Sequence, residues 1–294
     1  MIYRVDVRSL IQPVGILRII EAFLSCLCFS LVASVGHKSS PHCQQDEPGC
    51  VDNFWAWCMF TWCFCCFFTL LIIILEFTTL SSKVPFAWDD FTTAFAMLAG
   101  LMCLSAGIIY PSFFTCSTCH KEIIASAMSS ACFGVYTAEA SMTLFRPRGQ
   151  TIGFLSTLPG IMKMLETFMA CIIFMSLETM HYNDYPGLKW CVSVYSLCFI
   201  FSLVIILLSL LPLNSFIPFS IDKIVVVYNI LAALAYFTAM VIWPVYNFSS
   251  SRTYTKVRRD KAIIVTVMSI FNFIVYTLDS LCAVRLVFIT GRAE

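Results

Sequence analysis

Charge is scarce in this sequence. Only 12% of its 294 residues are Asp, Glu, Lys or Arg, and 60% are hydrophobic. An ordinary soluble domain carries about 25% charged residues and roughly 45–50% apolar ones. A soluble fold this poor in polar side chains could not cover its own surface. A bilayer removes that need, because lipid tails accept apolar groups directly. Basic blocks are also missing, and the net charge is +1, so nothing here points to nucleic acid. There is no Gly-rich phosphate loop, no pair of catalytic carboxylates at a soluble cleft and no Ser/His/Asp arrangement. Enzyme activity therefore has no support, and no cofactor is expected. Long polar stretches are absent too, which leaves no room between the apolar runs for an appended soluble domain. Apolar–polar alternation is lacking in stretches such as Leu70 to Leu75 or Leu203 to Leu211, which are apolar on every side. That argues against a membrane β-barrel, whose strands alternate.

What is present is a series of long apolar segments. A spanning helix needs about 20 mostly apolar residues at 1.5 Å each. Eight segments qualify: 15–35, 54–76, 91–110, 123–145, 159–178, 190–212, 223–246 and 262–289. The expected fold class is an all-α polytopic membrane protein with eight transmembrane helices. The first segment is long for a signal core and carries Arg18 and Glu21, so it reads as an uncleaved insertion signal. Trp55, Trp57, Trp88, Tyr110, Trp190 and Trp243 stand near segment ends, where interfacial aromatics gather. Twelve of the 16 cysteines fall inside apolar runs, where a thiol serves as a small hydrophobe.

The segments repeat. Gly15-Ile16-Leu17-Arg18 with Glu21 answers Gly160-Ile161-Met162-Lys163 with Glu166. Trp57-Cys58, Trp62 and Cys65 answer Trp190-Cys191, Tyr195 and Cys198, and Ile109-Tyr110-Pro111 answers Ile242-Trp243-Pro244. Met128-Ser129, Tyr136 and Glu139 answer Met268-Ser269, Tyr276 and Asp279. The matches come in order, one per helix, so the chain reads as a duplicated four-helix unit. An even number of spans per unit inserts both halves the same way up, as a parallel repeat. Arg4 and Arg8 precede the first helix, and Arg146 and Arg148 join the halves. The positive-inside rule places these regions, and both termini, in the cytoplasm. Arg252, Lys256, Arg258, Arg259 and Lys261 pull the other way.

Charges inside apolar runs mark candidate sites. Arg18 and Glu21 lie three apart on one helix face, as do Lys163 and Glu166. Glu139 and Asp279 sit on the fourth helix of each half. Counted from the inner ends, Glu21 and Glu139 both lie roughly 9 Å deep. An uncompensated charge at the centre of a membrane helix costs roughly 2.5 kcal/mol or more. Arg18, Glu21, Glu139, Lys163, Glu166 and Asp279 are therefore expected to form a structural polar clamp; an ion or proton path is the alternative. Glu76 has no acidic counterpart and reads as an interfacial end residue. Cys116-Ser-Thr-Cys119-His120 has the spacing of a c-type haem attachment or the start of a zinc site, but no second Cys/His pair matches it. With Cys43 and Cys50 on the same predicted side, disulfides among Cys43, Cys50, Cys116 and Cys119 are expected, with four free thiols as the alternative. Asn247-Phe248-Ser249 fits the glycosylation sequon, yet its place at the membrane surface argues against a glycan. Small residues on the third helix (Gly100, Ser105, Gly107) and the fourth (Ala127, Ser130, Ala131, Gly134, Ala138) are expected to permit close helix packing.

Several stretches resemble the MARVEL-domain proteins: Gln12 to Arg18, Phe29 to Gly36, Met59 to Cys65, Leu104 to Pro111, Leu165 to Phe174 and Trp190 to Val192. The resemblance runs over nearly the whole chain. It implies two MARVEL domains, 15–145 and 159–289, with cytoplasmic segments at 1–14, 146–158 and 290–294. It further implies a non-enzymatic scaffold of cholesterol-rich domains, acting in vesicle trafficking, membrane apposition or junctions. On that reading the partners are membrane lipids, cholesterol among them, other membrane proteins or further copies of the chain. The location implied is the plasma membrane or trafficking vesicles. A transporter or channel using the intramembrane acids is the alternative function.

Overall fold

The computed structural model describes residues 11–36, 53–84, 88–114, 120–144, 157–177, 185–210, 221–248 and 256–285. Among them the regular structure is helical: α1 (Pro13–Val35), α2 (Asn53–Phe77), α3 (Trp88–Phe114), α4 (His120–Leu144), α5 (Leu158–Leu177), α6 (Pro186–Leu210), α7 (Ile221–Phe248) and α8 (Lys256–Val284), with a single 3₁₀ turn, Leu80–Lys83, after α2. The helices run 20 to 29 residues, roughly 30–44 Å at 1.5 Å per residue, against a hydrocarbon core about 30 Å thick. The chain divides into two compact units, Met1–Gly153 and Phe154–Glu294.

Local chemistry sets the helix ends. Pro13 opens α1, where its missing N–H costs nothing. Gly36, at φ 72°, closes it in a conformation that side chains resist. Asp89 and Asp90 occupy the first turn of α3, the electropositive end of a helix. Two helices exceed their expected bounds by the most. Helix α3 continues through Pro111 to Phe114; the Ser112 hydroxyl donates to the Ile108 carbonyl there. Helix α8 begins at Lys256 and takes in four of the five basic residues that hydropathy assigns to a loop, Lys256, Arg258, Arg259 and Lys261.

Within the first unit the helices form a closed ring. α1 packs on α2, α2 on α3, α3 on α4, and α4 back on α1. The second unit repeats the order with α5 to α8. Neighbours run antiparallel: Cys28 of α1 meets Ala125 of α4 at one end, while Arg18 meets Glu139 at the other. The buried positions of α1 include Val14, Arg18, Glu21, Ala22, Ser25, Cys28 and Val32, a stripe at spacings of three and four that faces the bundle axis.

Aromatic side chains fill both interiors at matching stations. Trp62 donates to the Ser129 hydroxyl at 3.1 Å in the first unit, and Ser269 donates to the Tyr195 hydroxyl at 2.8 Å in the second. Thr69 and Tyr136 share a hydrogen bond of 2.7 Å, and Ser202 and Tyr276 one of 2.9 Å. Tyr110 and Trp243, each followed by a proline inside its helix, are both buried.

The small residues divide into two groups. A Cβ on Gly107 would lie 3.2 Å from the Ser130 oxygen, and one on Gly100 would lie 3.4 Å from the Tyr136 Cβ. These two glycines let α3 and α4 approach closely. On α4, however, Ala127, Ser130, Ala131, Gly134 and Ala138 are exposed, and a Cβ on Gly134 would meet nothing within 4 Å. Helical spacing turns this stripe outward, because the opposite face is taken by Ser129, Cys132, Tyr136 and Glu139. Its small and hydroxyl residues also explain why seven of the eight helices, all but α4, are long and apolar enough by composition to cross a membrane.

Candidate functional site

Each unit buries one cation among acids. Arg18 projects from α1 and is 4% exposed. Its Nε donates to Glu139 Oε1 on α4 at 2.5 Å, and its Nη1 pairs with Glu76 Oε1 on α2. Trp88 Nε1, at the start of α3, donates to the same Glu76 oxygen at 2.9 Å. The planar guanidinium fork makes this possible, since it can hold two carboxylates on two helices at once. Glu21, one turn along α1, has no exposed surface. Neither of its carboxyl oxygens receives a donor.

Lys163 holds the equivalent place in the second unit and is wholly buried. Its ammonium has three protons and three acceptors: Glu166 Oε2 at 2.7 Å, Asp279 Oδ2 at 2.9 Å and Asn229 Oδ1 at 2.5 Å. Asn229 Nδ2 donates to Asp279 Oδ2 at 2.8 Å, tying α7 to α8. Ser202 of α6 donates to Glu166 Oε2 at 2.9 Å and shares hydrogen bonds with Tyr228 and Tyr276. The ammonium also lies 5.0 and 5.1 Å from the ring centroids of those tyrosines, within cation–π range. All four helices of this unit therefore meet around one nitrogen.

The structure thus brings Arg18 to Glu139 and Lys163 to Glu166 and Asp279, while Arg18 does not donate to Glu21. Glu76 belongs to the first cluster. Its position at a helix end made it look interfacial, although the aromatic Trp88 just past the next loop was a hint of a capped carboxylate. Asn229, Ser202 and Tyr228 also escaped sequence reasoning. Asn229 carried the clearest signal, an amide in the middle of an apolar run. The Asn247 amide nitrogen is buried and donates to the Trp243 carbonyl at 2.9 Å. Cys43, Cys50, Cys116 and Cys119 lie outside the described residues; the cysteines within them are free thiols. Among the described residues no group of three or more His, Cys, Asp or Glu is placed to hold a metal ion.

Comparison with known proteins gives a consistent picture. MARVEL, described as a membrane-associating domain, matches twice, over residues 9–142 and 154–282. The chain is 36% identical to the myeloid-associated differentiation marker homolog of Xenopus laevis, over 96% of this chain and 95% of that protein. It is 35% identical to the human myeloid-associated differentiation marker, over 96% of this chain and 90% of that one. To the rat myeloid-associated differentiation marker-like protein 2 it is 34% identical, over 95% and 93%. No solved structure matches.

Proposed function

The chain belongs to the MARVEL family, and from its two copies of that domain we propose that it is a non-enzymatic scaffold that organises membranes. It spans the bilayer eight times, as two four-helix domains inserted the same way up. One observation carries this reading: the charged side chains Arg18, Glu21, Glu139, Lys163, Glu166 and Asp279 are buried within their own units, while large apolar side chains such as Phe23, Phe67, Ile108, Leu197, Leu234 and Phe271 face outward. Such a surface interacts with lipid and with other membrane helices. The low hydropathy of α4 fits a spanning helix whose polar face is satisfied inside the bundle. The partners are membrane lipids, cholesterol among them, other membrane proteins and further copies of the chain. The compartments are the plasma membrane and trafficking vesicles.

The test uses giant vesicles in which a cholesterol-rich ordered phase coexists with a disordered one. The labelled full chain is expected to concentrate in the ordered phase; exclusion from it overturns the raft-organising role. A transporter or channel is the second reading, favoured by the two carboxylates that gather on each of the cations Arg18 and Lys163. Liposomes carrying the chain are expected to pass ions no faster than empty ones. A flux that Glu139→Gln abolishes would replace the scaffold with a transporter.

A further inference from the structure

The first unit gathers three carboxylates around one cation, and they are not equally served. Glu139 and Glu76 both hold Arg18. Glu21 has no exposed surface and no donor on either oxygen. Among the described residues, the donors Ser25, Cys132 and Tyr136 are engaged elsewhere. Ser25 and Cys132 bond each other at 3.3 Å, and Cys132 reaches only the backbone oxygen of Glu21. The Tyr136 hydroxyl is engaged with Thr69. The carboxyl of Glu139, held on Arg18 across the α1–α4 seam, is within electrostatic reach of Glu21. The ionisable groups that interact with it are Arg18 on its own helix and Glu139, Cys132 and Tyr136 on α4, with Glu76 of α2 next to Glu139.

Two neighbouring carboxylates in a low-dielectric interior, one of them buried without a donor, do not both stay ionised unless a cation serves both. The second unit meets this condition: the Lys163 ammonium sits between Glu166 and Asp279, and each gives it one oxygen. In the first unit Arg18 bonds Glu139 and Glu76, and among the described residues no cation donates to Glu21. A proton would supply both the missing charge and the missing donor. We propose that Glu21 and Glu139 form a proton-binding site, a carboxylic acid bonded to a carboxylate, that the second unit replaces with its lysine. Glu21 carries the hydrogen and donates it to Glu139, which keeps its charge for Arg18. The side chain of Glu76, 22% exposed, forms the edge of the cluster nearest the outside.

The proposal stands apart from the scaffold reading, because a bound proton needs no transport. The experiment is difference infrared spectroscopy of the full chain in nanodiscs at neutral pH, in water and in heavy water. The parent is expected to show the carbonyl stretch of a protonated carboxylic acid, shifted on deuteration. Glu21→Gln is expected to lose that band and Glu166→Gln to keep it. Thermal unfolding gives a second readout. A glutamine amide donates as the protonated acid does, so Glu21→Gln should unfold at the parent's temperature, whereas Glu139→Gln should unfold earlier. A parent spectrum without a protonated-acid band overturns the proposal before any variant is made. A band that persists in Glu21→Gln overturns it as well, and so does a Glu21→Gln chain that fails to fold or loses as much stability as Glu139→Gln.

Discussion

Lys163 shows at the scale of one residue how such a chain tolerates charge in its interior. An ammonium with three acceptors and two aromatic faces is satisfied in every direction. Its net worth against an apolar replacement of the whole cluster is small, because desolvating the ions offsets most of their attraction. Removing one partner is a different matter. Lys163→Met strands two buried carboxylates and the Asn229 Oδ1 acceptor, and should cost about 3–5 kcal/mol. Adding Asp279→Asn removes one stranded charge and should restore part of the loss. A double-mutant cycle on unfolding in detergent measures the coupling; additive losses would show that Lys163 and Asp279 do not act as a pair. Arg18, Lys163, Glu139 and Asp279 were conspicuous in the sequence because each interrupts an apolar run. Their partners were less so. Glu76 at a helix end looks the same by spacing whether it faces headgroups or a guanidinium. Ser202 and Tyr228 are ordinary residues of an apolar helix until four helices converge on them.

Between elements, contact distance decides what a small residue does. Composition alone suggested that both α3 and α4 use small residues to pack, and periodicity could not say which face each stripe takes. In the structure Gly107 and Gly100 lie in the α3–α4 seam, whereas Gly134 faces out. Gly107→Val should therefore force its Cβ against Ser130 and cost about 1–3 kcal/mol, the usual range for overpacking a fitted interior. Gly134→Val should be nearly neutral, since nothing stands within 4 Å of its Cβ. Midpoints of denaturant-induced unfolding for the two variants test the distinction. Equal losses would mean that helix propensity outweighs packing at both positions. Helix existence was legible throughout, because runs of 20 or more apolar residues admit no other regular structure. The ends were less so. Helix α8 starts at Lys256 among charged residues, which hydropathy assigns to a loop.

For the whole chain, that early start of α8 bears on which way up the protein sits. Arg4, Arg8, Arg146 and Arg148 favour cytoplasmic termini and a cytoplasmic junction between the halves. Five basic residues between Arg252 and Lys261 oppose this if they all belong to one external loop. Four of them, Lys256, Arg258, Arg259 and Lys261, instead lie in the first turns of α8. Lys261 is only 6% exposed, so its charge is held within the helical bundle and not free in a loop. The positive-inside rule counts basic residues in short loops and near helix ends, and the first helix usually dominates. Residues in the first turns of α8 still count, but the burial of Lys261 takes one charge from the stretch, and the first helix outweighs the remainder. Tags at either terminus are expected to be reached by antibody only after the plasma membrane is permeabilised, and a tag within residues 38–52 on intact cells. Terminal tags that label intact cells would invert the topology and show the Arg252–Lys261 charges to be the stronger signal. Because each unit has an even number of helices, the same experiment with a tag at residues 146–158 tests the parallel repeat: it must behave like the termini. A junction tag exposed on intact cells while both termini remain hidden would mean that each unit crosses the bilayer an odd number of times, and α4, the one described helix not apolar enough by composition to cross, would be the first to be placed outside the membrane.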